Sequence, residues 1–331
     1  MDEEKTSRRD FLLRTLTGGA AAAAVNWAAL PGAWGQSGAP ERATAERKTG
    51  LLEEGLPSKT ALGAALHRAA HQILDDPKIF DDPLALPIIG TKRESALRAD
   101  LERYRTRPYE RAFLVLRSRY AEDQLAQAIR REVRQYVILG AGLDTFPYRS
   151  LYPDATLRVF EVDHPATQAW KRRRLQEAGI TIPGSLTFAP VDFERQTLID
   201  GLARAGFRAD QPAFFSWLGV VIYLTQDAVM QTLRFVASLP AGSGIVFDYG
   251  LPSTHLSERQ RLARQAQAEG VASIGEPWLT YFDPESIVAG IGGMGFKHVE
   301  DFGAKTANER YFKDRADGFR VLGGRLMTAR L

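Results

Sequence analysis

Two glycines and two acids stand at the ends of three successive apolar runs, where they could bind a nucleoside. Gly140 and Gly142 follow the first run, and glycine there lets the backbone turn tightly and lets a ligand approach the main chain. Asp163 ends the second run, 21 residues after Gly142, and an acid at that place can accept both hydroxyls of a ribose. Asp192 and Phe193 follow the third run, where a carboxylate and an apolar ring could contact an adenine.

The glycine turn is a weak indication when it is taken alone. A plain turn at the end of a strand would show the same Gly-x-Gly pattern. A dinucleotide-binding fingerprint requires a third glycine, and Thr145 stands at that position, which disfavours a nicotinamide-dependent dehydrogenase. The interpretation therefore depends on the acids after the next two runs as much as on the glycines.

The runs that carry these residues alternate with helical patterns, which is typical of a parallel sheet covered on both faces. The predicted strands are 136–139, 158–162, 186–191, 213–217, 244–249, 297–302 and 320–329, and the predicted helices between them are 165–178, 195–206 and 225–237. The predicted fold is α/β, Rossmann-like and doubly wound, with a mostly parallel seven-stranded sheet whose last two strands form an antiparallel edge. Ligands of such sheets bind beyond the carboxyl ends of the strands, where the candidate residues stand.

Two helical patterns precede the first strand. One begins at Ser58, a suitable N-cap, and ends near Asp75. The other covers 108–131, with Pro108 suited to a first helical turn. We therefore predict a helical cap over residues 58–134 and a sheet core over residues 135–331, which together form one domain.

The amino-terminal residues resemble a targeting signal. Arg8 and Arg9, followed by Phe11, a modestly apolar stretch and small residues, resemble a twin-arginine signal peptide over residues 1–35. Residues 36–57 have the composition of a flexible linker. The resemblance implies the twin-arginine export machinery as a partner and export to the periplasm, without a stable membrane anchor. The alternative is an amphipathic helix packed on the domain of a cytoplasmic protein.

Composition excludes several kinds of site. The chain has no cysteine, which excludes disulfides, thiolate metal ligands and a cysteine nucleophile. Lys and Arg total 43 against 40 acids, and this near balance predicts no nucleic-acid partner. His67 and His71 lack the glutamate of a zinc-binding helix, so we predict no metal site. The basic run 171–174 is predicted to be the solvated side of a helix.

Several longer motifs resemble the leucine carboxyl methyltransferase-like family of class I S-adenosylmethionine-dependent methyltransferases. They are RYAEDQLA (119–126), YVILGAGLDT (136–145), FEVDHP (160–165), VDFE (191–194) and FSWLGVVIYL (215–224). The segment DDPKIFDDPLA (75–85) also resembles the amino-terminal cap of bacterial members. The resemblance runs from about residue 58 to the end of the chain. It implies S-adenosyl-L-methionine as the cofactor and a small-molecule methyl acceptor.

The resemblance also implies a role for each candidate at the strand ends. Gly140 and Gly142 would form the turn under the methionine part of the cofactor. Asp163 would hold the ribose, and Asp192 with Phe193 would contact the adenine.

Basic residues before the first strand would bind the methionine carboxylate. The candidates are Arg117 or Arg119, at the end of the preceding helix, and Lys59 in the cap. Arginine suits a carboxylate because its guanidinium can donate two parallel hydrogen bonds. For each of these charges the alternative is a solvated helix face.

The sequence departs from the family at Leu218, where related methyltransferases often carry a glutamate after the fourth strand. This puts one cofactor or substrate contact in question. It motivates a second hypothesis, in which the protein is a catalytically degenerate ligand-binding or scaffold protein derived from such an enzyme.

Methyl transfer from a sulfonium is a displacement in which acceptor, methyl carbon and sulfur must align, so positioning is the main task of the protein. A carboxylate acceptor is already ionised near neutral pH, whereas a hydroxyl acceptor would require a general base. The sequence identifies no such base. Tyr223, Tyr249 and Tyr281 are candidates for lining the acceptor pocket, although aromatic residues are more often packing residues.

Overall fold

Seven β-strands form a single sheet in the computed structural model, which describes residues 58–192 and 196–331. The strands are β1 (Gln135–Leu139), β2 (Arg158–Asp163), β3 (Leu186–Pro190), β4 (Ala213–Trp217), β5 (Gly244–Tyr249), β6 (His298–Phe302) and β7 (Arg325–Arg330). Their order is β3-β2-β1-β4-β5-β7-β6. The first five strands are parallel, and β7 is antiparallel to both β5 and β6. The predicted mixed α/β fold with seven strands is confirmed.

The order of the strands reverses at β1. β2 and β3 lie on one side of β1, and the chain then crosses back so that β4 lies on its other side. In open α/β sheets a ligand binds at such a switch point, outside the carboxyl ends of the strands. The segments that follow β1, β2 and β4 therefore meet at one place.

The parallel strands are buried on both faces because side chains alternate along each strand and both faces are covered. Val137 and Leu139 of β1 belong to one apolar cluster, together with Phe160 and Phe215 on the neighbouring strands. Tyr136 and Ile138 point to the opposite face and belong to a second cluster. Packing in these clusters fixes the positions of the ends of β1, β2 and β4.

Twelve helices lie within the described residues. They are α1 (Lys59–Leu74), α2 (Ala85–Ile89), α3 (Thr91–Ala99), α4 (Glu102–Arg105), α5 (Pro108–Arg130), α6 (Phe146–Arg149), α7 (Pro165–Glu177), α8 (Leu198–Arg204), α9 (Gln226–Ala237), α10 (Glu258–Ser273), α11 (Pro284–Gly292) and α12 (Ala304–Tyr311). The Ser58 side chain accepts a hydrogen bond from the amide of Ala61 and so caps α1, as predicted. Five of the helices precede β1, with α1 packed against α2 and α5.

One prediction about exposure is wrong. Arg172 and Arg173 of the basic run are exposed, but Lys171 is 1% exposed and its Nζ lies 2.6 Å from Oε1 of Glu161 on β2. The reason is that α7 packs against the sheet, and the position of Lys171 on the helix faces β2 rather than solvent.

Three predictions fall on residues that the structure does not describe. The twin-arginine signal (1–35), the linker (36–57) and Phe193 all lie outside the described ranges. Across the ranges that are described, none of the helices is both long and apolar enough to span a bilayer. Within the same ranges, His, Asp and Glu side chains form no group of three that could hold a metal ion.

Candidate functional site

The turn after β1 has a backbone that strongly favours glycine. Gly140 has a φ of +65° and Gly142 a φ of +45°, in the left-handed region that L side chains rarely adopt. A Cβ on Gly140 would lie 2.4 Å from Cγ2 of Val220, and one on Gly142 would lie 3.0 Å from Cβ of Ala61. The turn is thus enclosed by the segment after β4 on one side and by the start of α1 on the other.

Asp163 holds this turn directly. Its Oδ2 accepts a hydrogen bond of 2.6 Å from the amide of Gly142, and its Oδ1 accepts one of 2.7 Å from the amide of His164. The main chain makes the same connection, because the amide of Gly140 donates to the carbonyl of Val162 at 2.8 Å. The structure therefore brings together Gly140, Gly142 and Asp163, which the sequence analysis selected separately.

Asp192 lies at the next strand end. The amide of Val191 donates to the carbonyl of Asp163 at 3.0 Å, so the chain leaving β3 runs beside the end of β2. Asp192 itself is half-buried, and its carbonyl accepts from the amide of Gln196. Three acid- or glycine-bearing strand ends are consequently neighbours at the carboxyl edge of the sheet.

The two candidate arginines on α5 lie in different environments. Nη1 of Arg117 lies 3.1 Å from Oδ2 of Asp248 at the end of β5, and its side chain is 14% exposed. Arg119 is about half exposed and pairs with Asp123 at 3.0 Å on the same helix. Residues two apart on a helix point in nearly opposite directions. The structure thus places Arg117 toward the strand ends and Arg119 on the surface of α5.

Lys59 contributes its backbone rather than its side chain to the described contacts. Its amide donates to Oε1 of Glu276 at 3.0 Å, while its side chain is exposed. The amide of Thr60 donates to Oε2 of the same carboxylate at 3.3 Å, and the Thr60 hydroxyl also donates to it. Glu276, which is 3% exposed, thereby fixes the amino terminus of α1. A carboxylate there is favoured by the unpaired amides and dipole of the helix.

A second buried acid holds the loop that follows the glycine turn. Asp82 is fully buried, and its Oδ2 accepts a hydrogen bond of 2.7 Å from the hydroxyl of Thr145. Its carboxylate also pairs with Arg149 at 3.4 Å and with Arg68 at 3.5 Å. Arg68 in turn donates to the carbonyl of Leu143 at 2.5 Å. The segment before α2 therefore fixes the residues immediately after Gly142.

The three tyrosines proposed to line an acceptor pocket differ in their contacts. The Tyr249 hydroxyl donates to Asp301 at 2.8 Å. Burial and this carboxylate raise the pKa of Tyr249. The ring of Tyr281 is covered by the guanidinium of Arg264, 4.6 Å from its centroid. Tyr223 is half-buried in a 3-10 turn after β4, and burial is the main cause that raises its pKa.

The surroundings of Tyr223 connect it with the amino terminus of α1. The neighbouring side chains of Trp278 and Thr60 lower its pKa in opposition to burial, and the charges of Glu276 and Arg117 also act on it. Of the three tyrosines, Tyr223 is thus the one whose pKa responds to residues at the start of α1 and to Arg117.

Sequence reasoning missed Asp82, Asp248 and Glu276. A signal existed for the first two, because Asp82 lies in the motif 75–85 and Asp248 is the last residue but one of an apolar strand, much as Asp163 is the last of β2. No local signal marked Glu276, which contacts residues more than 200 positions away in the chain.

Known proteins resemble this chain in sequence. The family profile described as leucine carboxyl methyltransferase matches residues 61–237. YktD of Bacillus subtilis, whose name designates a candidate S-adenosyl-L-methionine-dependent methyltransferase, is 33% identical over 283 residues, which are 78% of this chain and 93% of that protein. A Frankia alni protein with the same designation is 33% identical over 244 residues, covering 72% of this chain and 82% of the relative.

A solved structure shares the fold. The crystal structure of a candidate methyltransferase from Thermobifida fusca YX superposes with a TM-score of 0.50. It is 19% identical in sequence, and the superposition covers 84% of this chain and 96% of that one.

Proposed function

The chain belongs to the leucine carboxyl methyltransferase family, and we propose that it methylates an oxygen of a small-molecule carboxylate or hydroxyl by direct displacement. The observation that supports the proposal is the contact between Asp163 and the glycine turn at the carboxyl edge of the sheet. There its carboxylate fixes the amide of Gly142, in a turn whose two glycines have left-handed backbones.

S-adenosyl-L-methionine is the cofactor of this function and supplies an electrophilic methyl group on a sulfonium. The residues present fit such a group. Gly140 and Gly142 form a tight left-handed turn without side chains, and Asp163 and Asp192 place carboxylates at the ends of neighbouring strands. Arg117 adds a cation at the same edge. In the proposed site Asp163 holds the ribose, Asp192 contacts the adenine, and Arg117 binds the methionine carboxylate.

The protein's own contribution to the reaction is orientation. Bringing reacting groups into line can lower a barrier by roughly 7 to 11 kcal/mol without any acid or base. A carboxylate acceptor needs no proton removed, which agrees with a set of strand ends made of glycines, carboxylates and one arginine. In this proposal Tyr223 and the amino terminus of α1 border the acceptor, and residues 58–134 act as a cap over the sheet core.

Calorimetric titration tests the cofactor, and a screen tests the acceptor. We expect the full chain to bind S-adenosylmethionine and S-adenosylhomocysteine, and to transfer label from the former to some members of a panel of small carboxylates and phenols. The variant Gly140→Ala should lose both nucleoside binding and label transfer. Failure of the folded protein to bind either nucleoside would overturn the proposal.

Leu218 favours a second candidate, a ligand-binding protein that has lost catalysis. Leu218 is partly buried against the apolar cluster of Tyr136 and Ile138, so its side chain offers no polar group to a ligand. In that case titration would show binding while the acceptor screen showed no transfer.

We also propose that residues 1–35 direct the protein to the periplasm through the twin-arginine export machinery, which accepts folded proteins. Arg8 and Arg9 carry this proposal. Replacing both with lysine should leave the chain in the cytoplasm, whereas replacing Arg14 should not. A mature periplasmic protein that still begins at Met1 would contradict signal cleavage, and an exclusively cytoplasmic wild-type chain would contradict export.

A further inference from the structure

Asp248 lies on β5, next to the end of β4, where Leu218 replaces the glutamate that related methyltransferases often carry. Phe247 is the register partner of Trp217 in the parallel pair of β4 and β5. Leu218 and Asp248 are therefore the next residues along two neighbouring strands. Where β4 ends in an apolar side chain, the adjacent strand presents an acid.

Both oxygens of Asp248 are engaged in the candidate site. Oδ1 accepts a hydrogen bond of 2.5 Å from the amide of Gly219, and Oδ2 accepts one of 3.1 Å from Nη1 of Arg117. The two side chains are largely buried, with 12% of Asp248 and 14% of Arg117 exposed. Asp248 thus joins α5 to the segment that follows β4.

That segment has the shape required to receive the guanidinium. Gly219 has a φ of +70°, and a Cβ on it would lie 2.8 Å from both Nη1 and Nη2 of Arg117. The next residue, Val220, packs over Gly140. The guanidinium of Arg117 therefore lies beside the chain that encloses the glycine turn.

Arg117 keeps most of its hydrogen-bonding capacity. A guanidinium carries five N–H donors. Within residues 58–192 and 196–331, the hydrogen bond to Asp248 is the one that Arg117 makes. A largely buried cation with unused donors in a planar fork is suited to a carboxylate ligand.

We propose that Asp248 is a positioning residue, which holds Arg117 so that its remaining N–H groups bind the amino-acid carboxylate of S-adenosyl-L-methionine. This inference rests on the proposed function and deepens it. Fixing the arginine in advance removes rotamer freedom that binding would otherwise have to restrict. Asp248 thereby performs from β5 a role for which Leu218 has no suitable group.

Two nucleosides separate this role from a general effect on the site. S-adenosylhomocysteine carries the amino-acid carboxylate. In 5′-methylthioadenosine the sulfur bears only a methyl group, so the carboxylate is absent. We expect Asp248→Asn and Arg117→Lys each to weaken S-adenosylhomocysteine about 10- to 100-fold in calorimetric titration, because a charge-assisted hydrogen bond is lost or misdirected. Binding of 5′-methylthioadenosine should change less than about 3-fold. Asp210→Asn, in an exposed pair with Arg208 before β4, is the control and should change neither.

The ratio of the two affinities makes the test robust, since partial unfolding lowers the number of binding sites for both ligands alike. The double variant should be scarcely weaker than either single variant, because the two residues act as a unit. Leu218→Glu in the Asp248→Asn background should recover at least part of the lost selectivity by returning a carboxylate to the neighbouring strand end.

Different failures have different meanings. Equal weakening of both nucleosides by Asp248→Asn, or no effect of that variant on either, would overturn this inference alone. If the wild-type chain bound neither nucleoside, the proposed function would fall and this inference with it.

Discussion

Nζ of Lys171 lies 2.6 Å from Oε1 of Glu161, and both side chains are buried in the interface between α7 and β2. The hydroxyl of Tyr148 donates to the same carboxylate oxygen at 3.2 Å. Glu161 stands two residues before Asp163 on β2, so this ion pair supports the strand that presents Asp163. Burial raises the pKa of Glu161 to about 7, against the opposing effects of Lys171 and Tyr148.

Removing one partner of this pair should destabilise the fold strongly. Glu161→Leu leaves the Lys171 cation buried without its carboxylate, and such a loss costs about 3–5 kcal/mol. The double variant Glu161→Leu/Lys171→Met should recover most of this loss, because a buried ion pair can be exchanged for apolar groups at little cost. Urea denaturation at alkaline pH, above the pKa of about 7 of Glu161, measures both. Equal destabilisation by the single and double variants would contradict this account.

The same carboxyl should make stability depend on pH. Its pKa is raised from 4.5 in the unfolded chain to about 7 in the folded protein, so the folded state binds the proton more tightly. The stabilising contribution is complete below pH 4.5 and is lost as the pH rises through about 7. The free energy of unfolding of the wild type, minus that of Glu161→Leu/Lys171→Met, should therefore fall over this window. A difference that stays constant or rises would be the contrary result.

His67 should produce the opposite dependence. Burial, and then the charges of Arg111, Arg107 and Arg103, lower its pKa from 6.5 to about 4. Its Nε2 lies 3.7 Å from Oε1 of Glu110, and among the described residues its Nδ1 has no hydrogen-bond partner. The folded state therefore resists protonation, and stability should fall as the pH drops from 6.5 toward 4.

His67→Gln keeps a polar side chain of similar size but cannot titrate. Its unfolding free energy should therefore show a shallower decline than the wild type over the same acidic window. Denaturation curves of both proteins at matched pH values measure the difference. Parallel declines in wild type and variant would assign the acid sensitivity to other groups.

Gly140→Ala should remove nucleoside binding as well as lowering stability. A left-handed residue other than glycine costs about 1–3 kcal/mol, and here the new Cβ would also lie 2.4 Å from Val220. Gly179→Ala is the matched control, since Gly179 has the same φ of +65° and a Cβ there would meet nothing within 4 Å. Both variants should melt earlier than the wild type, but Gly179→Ala should retain its affinity for S-adenosylhomocysteine. Equal binding by the two variants would refute the steric argument.

Asp82→Asn should loosen the loop after the glycine turn. The carboxylate lies within 3.5 Å of both Arg68 and Arg149, and its removal takes the buried acid from Arg68 while Arg149 keeps its pair with Glu122. We expect a loss of about 3–5 kcal/mol in unfolding free energy. Asp81→Asn is the control at the adjacent position, because the Asp81 side chain is 75% exposed and pairs with Lys78 at the surface. Matching urea midpoints for the two variants would count against the role of Asp82.

Local patterns were enough to predict the strands and the glycine turn. Strand periodicity and the need of Gly140 and Gly142 for a left-handed backbone are properties of short segments, so they can be read without knowing the packing. The position of Asp163 near the glycine turn was also predictable, because the carboxyl ends of parallel strands lie at one edge of the sheet. The exposure of Lys171 could not be predicted in this way, since a basic run on a helix does not reveal which position faces the sheet.

By itself the sequence determined the α/β alternation, the strand ends that carry glycine and acid, and the resemblance to a methyltransferase family. Only the tertiary structure showed that Arg117 lies toward the strand ends and Arg119 on the helix surface, because the packing of α5 selects which side of the helix meets the sheet. It also paired Arg117 with Asp248, 131 residues later in the chain. Such pairings depend on the order of strands in the sheet, and no short segment contains that information.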